Sequence, residues 1–465
     1  MREGPDHCDV IVIGGGFAGV TAARDLSQNG YAVVLLEARD RLGGRTYYRE
    51  FADTGQKVEF GGTWLGPQTR ALKHIYDEVQ RYKIPLTTSP VPRAATTFAG
   101  EQRIDGMLPI PPEQIMEFER GLHAVATAAR KISQHRPLGS EALDLDVPCD
   151  CWLGGLDLPR ETLDVFRAFV QIYFGCDAAD VSALHVLAQV AALGYSGLAL
   201  FLVLDVKFAD GTISLINAII GDSSADVRLE APVARVEQDR DRVTVTTDDG
   251  RSLTAGACVV ATPLNCWSDI EFAPCLSEPK RLVGSERHAG HAFKPWALVR
   301  NLPDDYFLGL GMARDLNWIS TEFVLAEGSL MCGFGPSNPR VDQTDPRSIE
   351  RLIRSYAPKA KVVAVDNHDW DADRYSNGAY TALRPGWLTR YGRELRAPEG
   401  RLAFATSDIA DGLSLGLMSG AIQRGGAAAL EVAGILRSHA PKSTTTQAAP
   451  TPRPRKSSGQ PAVRS

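Results

Sequence analysis

Between Asp9 and Arg45 apolar runs alternate with glycine and polar stretches in an order that predicts strand, turn, helix and strand. Val10 to Ile13 is unbroken apolar chain, Ala18 to Asn29 is a helical stretch, and Ala32 to Leu36 is a second apolar run that stops at Glu37. Runs of this kind are the pattern of parallel strands covered on both faces. Farther on, Ile115, Phe118, Leu122, Val125, Ala129 and Ile132 recur at three and four, so an amphipathic helix is expected over Glu113 to His135. Arg160 to Tyr173 repeats the pattern through Leu163, Phe166, Phe169, Val170 and Tyr173. Val186 to Leu204 is almost wholly apolar and approaches membrane-spanning length. Gly194 to Gly197 interrupts it and Asp205 and Lys207 follow at once, so a buried core helix with a following segment is expected.

The second half turns to strands. Val233 to Glu237 and Arg242 to Thr247 alternate, Asp249-Gly250 supplies a hairpin turn, Arg251 to Thr254 answers it, and Cys258 to Ala261 reads as a separate buried strand. Asp210-Gly211-Thr212 opens a helix ahead of them. Phe293 to Val299 with Lys294 inside, Gly328 to Gly333 and Val362 to Val365 predict a second, antiparallel sheet, with a helix at Ile349 to Tyr356. Pro85 to Pro112 reads as extended chain. A strand at Leu402 to Ala405, a glycine-rich loop and a small-residue helix through Leu436 close the ordered chain. From His439 onward the chain is basic and acid-free, and disorder is expected.

Composition narrows the picture only a little. At 465 residues two domains are expected. Hydrophobic residues at 44% and charged ones at 23% exclude disorder of the whole chain, and a net charge of -6 gives no basic face for nucleic acid. The eight cysteines show no zinc spacing; Cys149 and Cys151 are one residue apart, and reduced thiols in a cytoplasmic protein are expected. No metal site and no membrane association are expected, and no signal peptide is read in Met1 to His7.

Chemistry enters at the glycines. Gly14 permits the tight turn, Gly16 lets backbone approach a pyrophosphate, and Gly19 lets the helix lie on the sheet. The helix start offers N–H groups and positive dipole to a diphosphate, and Glu37 falls where an acid meets ribose hydroxyls. An adenine dinucleotide is expected. Leu42-Gly43-Gly44-Arg45 suits a second approach to phosphate. Glu59 to Pro67 suits either an ordinary turn after a strand or backbone packed against a flat ring. Gly309 to Gly311 and Gly412 to Gly416 lack the following helix or the last glycine, so no separate nicotinamide site is seen. A flavin would then be reduced by the substrate itself, as in an oxidase or dehydrogenase.

The motifs resemble the flavin-containing amine oxidases of the monoamine oxidase type from Asp9 to about Leu436. Glu59 to Pro67 (EFGGTWLGP), Trp370, Ser376 to Thr381 (SNGAYT), Gly386 to Gly392 and Gly416 to Ala421 carry the likeness. It implies an α/β fold: a Rossmann-like FAD-binding domain of the glutathione-reductase-like GxGxxG type, plus an α+β substrate domain with a mixed or antiparallel sheet and a helical insert. The expected boundaries are 1–85, 208–290 and 388–437 for the first domain, 86–207 and 291–387 for the second, and 438–465 for the tail.

Roles follow residue by residue from the resemblance. Lys294 matches the lysine that hydrogen-bonds a water facing flavin N5, Tyr380 one wall of an aromatic cage, and Leu417 the position of the second wall. Cofactor contacts are implied for Gly14, Gly16, Phe17, Ala18, Gly19, Glu37, Ala38, Arg39, Gly44, Arg45, Gly61, Gly62, Thr63 and Trp64. They are implied equally for Val233, Trp370, Ala379, Ser407, Asp408, Leu417 and Met418, whose backbone N–H would face the flavin O2. Ala379 stands where mitochondrial members carry a flavin-bonding cysteine, so FAD is expected to be non-covalent. Hydride transfer from the carbon next to nitrogen is expected, with an amine and oxygen as partners, peroxide as product and a homodimer left open. Because Leu417 is not aromatic, a related dehydrogenase or desaturase acting on a non-amine C–H bond stays open, as does a flavin-bound scaffold without turnover.

Overall fold

The computed structural model describes residues 7–104, 107–134, 136–201, 204–311, 314–336 and 341–439. The strand His7–Ile13 lies at the centre of an eight-stranded sheet, parallel to Val33–Leu36 on one side and to Ser252–Val260 on the other. Val10 to Ile13 are all at most 3% exposed, which is why their run is unbroken apolar. The next strand in sequence lies on one flank and a distant one on the other, so the turn after Ile13 opens into a crevice at the switch point of the sheet. Asp226–Arg228, Val233–Gln238, Val243–Thr247, Glu271–Ala273 and Leu402–Phe404 complete it.

The two strands expected at Arg251–Thr254 and Cys258–Ala261 are one nine-residue strand, Ser252–Val260. Gly256 does not break it, because that glycine is where the final helix comes down: a Cβ there would stand 2.6 Å from Leu436. The final helix runs Met418–His439, past the expected end at Leu436. The expected disordered tail lies outside the described residues beyond His439.

A second eight-stranded sheet follows the order Lys361–Asp366, Trp296–Arg300, Gly328–Pro336, Trp318–Leu325, Phe307–Gly311, Ala94–Ala99, Gln102–Ile104, with Ala292–Phe293 beside Gly328–Pro336. It is antiparallel except where Ala94–Ala99 runs parallel to Phe307–Gly311, so it is mixed. The stretch read as extended chain from Pro85 thus supplies the edge of this sheet. Thr96 and Thr97, on opposite faces of it, are both buried but polar, so no apolar alternation announced a strand.

Lys294 was expected inside a continuous strand. Instead Ala292–Phe293 and Trp296–Arg300 are separate pieces, broken at Lys294-Pro295. Proline lacks the N–H that a continuing ladder needs, and here only its carbonyl is used, accepting from Gly333 N–H at 2.9 Å.

Helices Ile115–Ala129, Arg160–Phe174 and Ala183–Ala192 form the insert. The apolar run from Val186 ends its helix at Ala192, where Gly194 (φ 83°) and Tyr195 (φ 63°) turn the chain. Among the described residues no helix is long and apolar enough to cross a membrane.

Candidate active site

A cavity of about 320 Å³ begins at the turn after Ile13 and ends among side chains of the second sheet. At its first end Gly14 adopts φ 105°, and the helix Phe17–Gln28 starts with no side-chain cap and no acid in its first turn. Its N–H groups and dipole are left for an anion. Gly16, Phe17 and Ala18 line the space, and Gly19 does not. A Cβ at Gly19 would stand 1.8 Å from the Gly14 carbonyl oxygen, so that residue lets the helix seat under the turn. Glu37 is buried; one carboxylate oxygen accepts from Gly15 N–H at 2.6 Å and the other from Arg39 N–H at 2.9 Å. The acid therefore ties the turn to the end of the second strand while it lines the cavity beside Ala38, Arg39 and Val233.

Midway, Gly44 and Arg45 line one wall and Ser407 another. Arg45 donates to Asp408 at 2.7 Å. Asp408 is fully buried and stands behind the lining, accepting also from Leu264 N–H at 2.9 Å and from Thr381. Burial raises its carboxyl pKa, but Arg45, His288 and these donors outweigh that and hold it well below the usual carboxylate range. Thr262 lines the cavity with its buried hydroxyl unpartnered, a polar group left for a ligand.

At the far end Gly61, Gly62, Trp370, Ala379, Tyr380, Leu417, Met418 and Lys294 converge. The Lys294 ammonium donates to the carbonyls of Glu59 and Gly61, both at 2.8 Å, and to the Thr63 hydroxyl. All three hydrogens fasten the Glu59–Thr63 turn, so a water would have to displace one of these oxygens. Burial pushes the lysine pKa down. Thr63 and Trp64 do not line the cavity. Trp64 stands behind Lys294, its ring 5.1 Å from Nζ and its Nε1–H donated to Ser89 at 2.9 Å.

Sequence reasoning missed the aromatic array around this end. Trp318 packs on Trp64 (6.1 Å) and Phe334 (5.3 Å), and Phe334 meets Tyr380 at 6.5 Å. The strand read as Gly328 to Gly333 continues to Pro336, and period two from Cys332 carries Phe334 onto the same face. Among the described residues no group of three His, Cys, Asp or Glu is placed to hold a metal.

The donors, the vacant dipole, the orphan hydroxyl and the glycine-lined approach all fit a dinucleotide flavin. The model of the family described as flavin containing amine oxidoreductase matches residues 17–433. (S)-6-hydroxynicotine oxidase of Paenarthrobacter nicotinovorans is 34% identical over 86% of this chain and 94% of its own. Nicotine dehydrogenase of Pseudomonas putida is 32% identical over 94% and 90%. The solved structure of wild-type putrescine oxidase bound to putrescine superimposes with a TM-score of 0.81 at 24% identity, over 92% of this chain and 99% of that one, a likeness of fold.

Proposed function

The chain belongs to the flavin-containing amine oxidoreductases and is an FAD-dependent amine-oxidising enzyme; from that premise we propose an oxidase of apolar amines that holds FAD non-covalently and passes the electrons to oxygen. The observation that carries this reading is the single cavity joining the uncapped helix start to Lys294, Tyr380 and Leu417. When bound, FAD would supply the two-electron oxidation of the carbon next to nitrogen, and water would hydrolyse the resulting imine.

The protein's part is binding, orientation and charge. Gly14, Gly16, Phe17, Ala18, Ala38, Arg39, Gly44, Arg45, Val233 and Ser407 would hold the nucleotide, and Gly61, Gly62, Trp370, Ala379 and Met418 the ring. Gly19, Asp408, Thr63 and Trp64 act one layer behind. The final helix begins at Met418, where its dipole favours negative charge on the ring. Tyr380, backed by Phe334 and Trp318, gives the amine an apolar wall, and Leu417 gives an aliphatic one. Burial in this apolar place disfavours a protonated amine as it disfavours the Lys294 ammonium, so the substrate reacts in its neutral form. Two relatives whose names contain nicotine support an amine borne on an apolar ring.

Oxygen as acceptor, peroxide as product and a cytoplasmic location belong to the proposal; all eight cysteines are free, as that compartment requires. The domain boundaries stated above are proposed likewise, each large sheet drawing its strands from one set. A second reading, electron transfer to another acceptor, is supported by the relative named as a dehydrogenase. Anaerobic mixing with a panel of cyclic and secondary amines should bleach the flavin, and air should restore it with stoichiometric peroxide. Bleaching without recovery in air selects the second reading. No bleaching by any amine, with turnover of a nitrogen-free substrate, overturns both.

A further inference from the structure

The segment between the second sheet and Tyr380 carries chemistry that no step above uses. It leaves the sheet at Asp366, whose carboxylate takes two hydrogen bonds from Arg49, at 2.6 and 2.8 Å. It ends at Asn377, whose amide donates to Asp269 at 2.6 Å while its carbonyl accepts from Asn265 at 2.7 Å. In between, Asp373 accepts from Arg39 through both carboxylate oxygens at 2.8 Å, bonds His368 Nε2 at 2.8 Å and accepts Tyr375 N–H at 2.9 Å. Arg39 donates also to Ser376 at 2.9 Å and lies 5.4 Å over the Tyr375 ring.

This node is not a surface ion pair. The side chains of Arg39, Asp373 and His368 are 12%, 9% and 25% exposed, and His368 is wedged against Trp370 at 4.3 Å and Tyr47 at 5.5 Å. Exposed pairs contribute little, whereas a desolvated charge pair with every lone pair occupied holds geometry and costs much to open. Arg39, Arg374 and Tyr375 line the same cavity as Glu37 and Val233. The strap therefore contributes side chains to the wall of this cavity.

We infer that residues 366–377 form a clasp over the nucleotide half of the cofactor, in which Asp373, steadied by His368, positions Arg39 and Tyr375 and so governs how fast FAD leaves. The inference rests on FAD being the resident cofactor. Asp373 and His368 are positioning residues, since Arg39 and Tyr375 are the ones that face the cavity. The Arg374–Asp248 pair, 70% and 40% exposed at 2.8 Å, should matter far less.

The test is FAD release from the purified holoenzyme after dilution far below its dissociation constant, followed by the rise in flavin fluorescence as FAD leaves the protein. Asp373→Asn keeps the shape of the side chain and removes its charge; release should quicken at least tenfold, and at least threefold in His368→Gln. Asp144→Asn, in an exposed pair with Lys131 on the insert, should release FAD at the wild-type rate. The thermal midpoint of each apoprotein separates a loosened clasp from a weakened fold. Release within twofold of wild type in both variants overturns the clasp, and so does faster release that tracks a fall in apoprotein stability. If Asp373→Asn does not fold, His368→Gln alone decides. Absence of FAD from wild-type protein would instead sink the cofactor assignment, a different result.

Discussion

Lys294 shows how a single side chain is committed by its surroundings. Three oxygens around its ammonium fix it against the Glu59–Thr63 turn, while burial favours the neutral amine. Lys294→Met keeps the length and loses the charge and the donors. The cavity should still bind FAD, and flavin reduction or reoxidation should slow by roughly 10²-fold in stopped flow; unchanged rates remove Lys294 from the chemistry. Two other buried groups set the response to acid. Burial draws His185 down to about 4 and His288 down to about 3, from roughly 6.5 in the unfolded chain. Between those values the unfolded state binds protons that the folded state refuses, so stability is full above about pH 6.5 and falls as pH drops. Urea unfolding between pH 7.5 and 5 should lose up to about 1.4 kcal/mol per pH unit for each histidine. His288→Asn, which preserves an acceptor for Gly290 N–H near Nδ1, should flatten the curve by one histidine's share. Glu59, whose carboxyl burial raises, works with the opposite sign but is common to both proteins and cancels in the comparison.

Elements meet at positions where no side chain fits. Gly19 is such a point: a methyl there would press on the Gly14 carbonyl at 1.8 Å and on the Ala261 Cβ at 3.3 Å. Gly19→Ala should cost about 1–3 kcal/mol in urea unfolding of the apoprotein and weaken FAD binding as the turn deforms. Gly434, in the final helix with nothing within 4 Å, is the contrast: Gly434→Ala should be neutral or stabilising by about 0.5–1 kcal/mol. Equal effects at the two sites would mean that the close approach is not what Gly19 provides. Elements with a clean period were legible in the sequence: the first strand and helix, the Arg160–Phe174 helix and the hairpin at Asp249-Gly250. The break at Lys294-Pro295 was not, because Phe293 and Trp296 to Val299 continue an apolar run across it. Residues 366–377 have no period at all, and their partner Arg39 lies 334 residues from Asp373. Long-range ion pairs leave no local pattern to read.

Across the whole molecule the cofactor's two halves are served by distant parts of the chain. The nucleotide end draws on the first 45 residues, the Ala231–Val233 turn, Tyr375 and Ser407, and the far end on Lys294, Tyr380 and Met418. The motif residues were legible because glycines at fixed spacing have a mechanical meaning. Trp318 and Phe334 were not, since an aromatic on a strand looks the same whether it backs a site or fills a core. Ala379 at the cavity wall offers no thiol, so acid precipitation should release FAD into the supernatant; colour that stays with the pellet would show a covalent bond.

A cavity walled by both sheets has a consequence for the protein's life in a cell. The two sheets share one apolar core, and FAD at a hundred times its dissociation constant would stabilise the folded state by a further ~2.7 kcal/mol. Without FAD that contribution is missing, so the apoprotein should unfold and be proteolysed more readily than the holoenzyme. The amount of working enzyme is therefore tied to the supply of flavin as well as to the rate of synthesis.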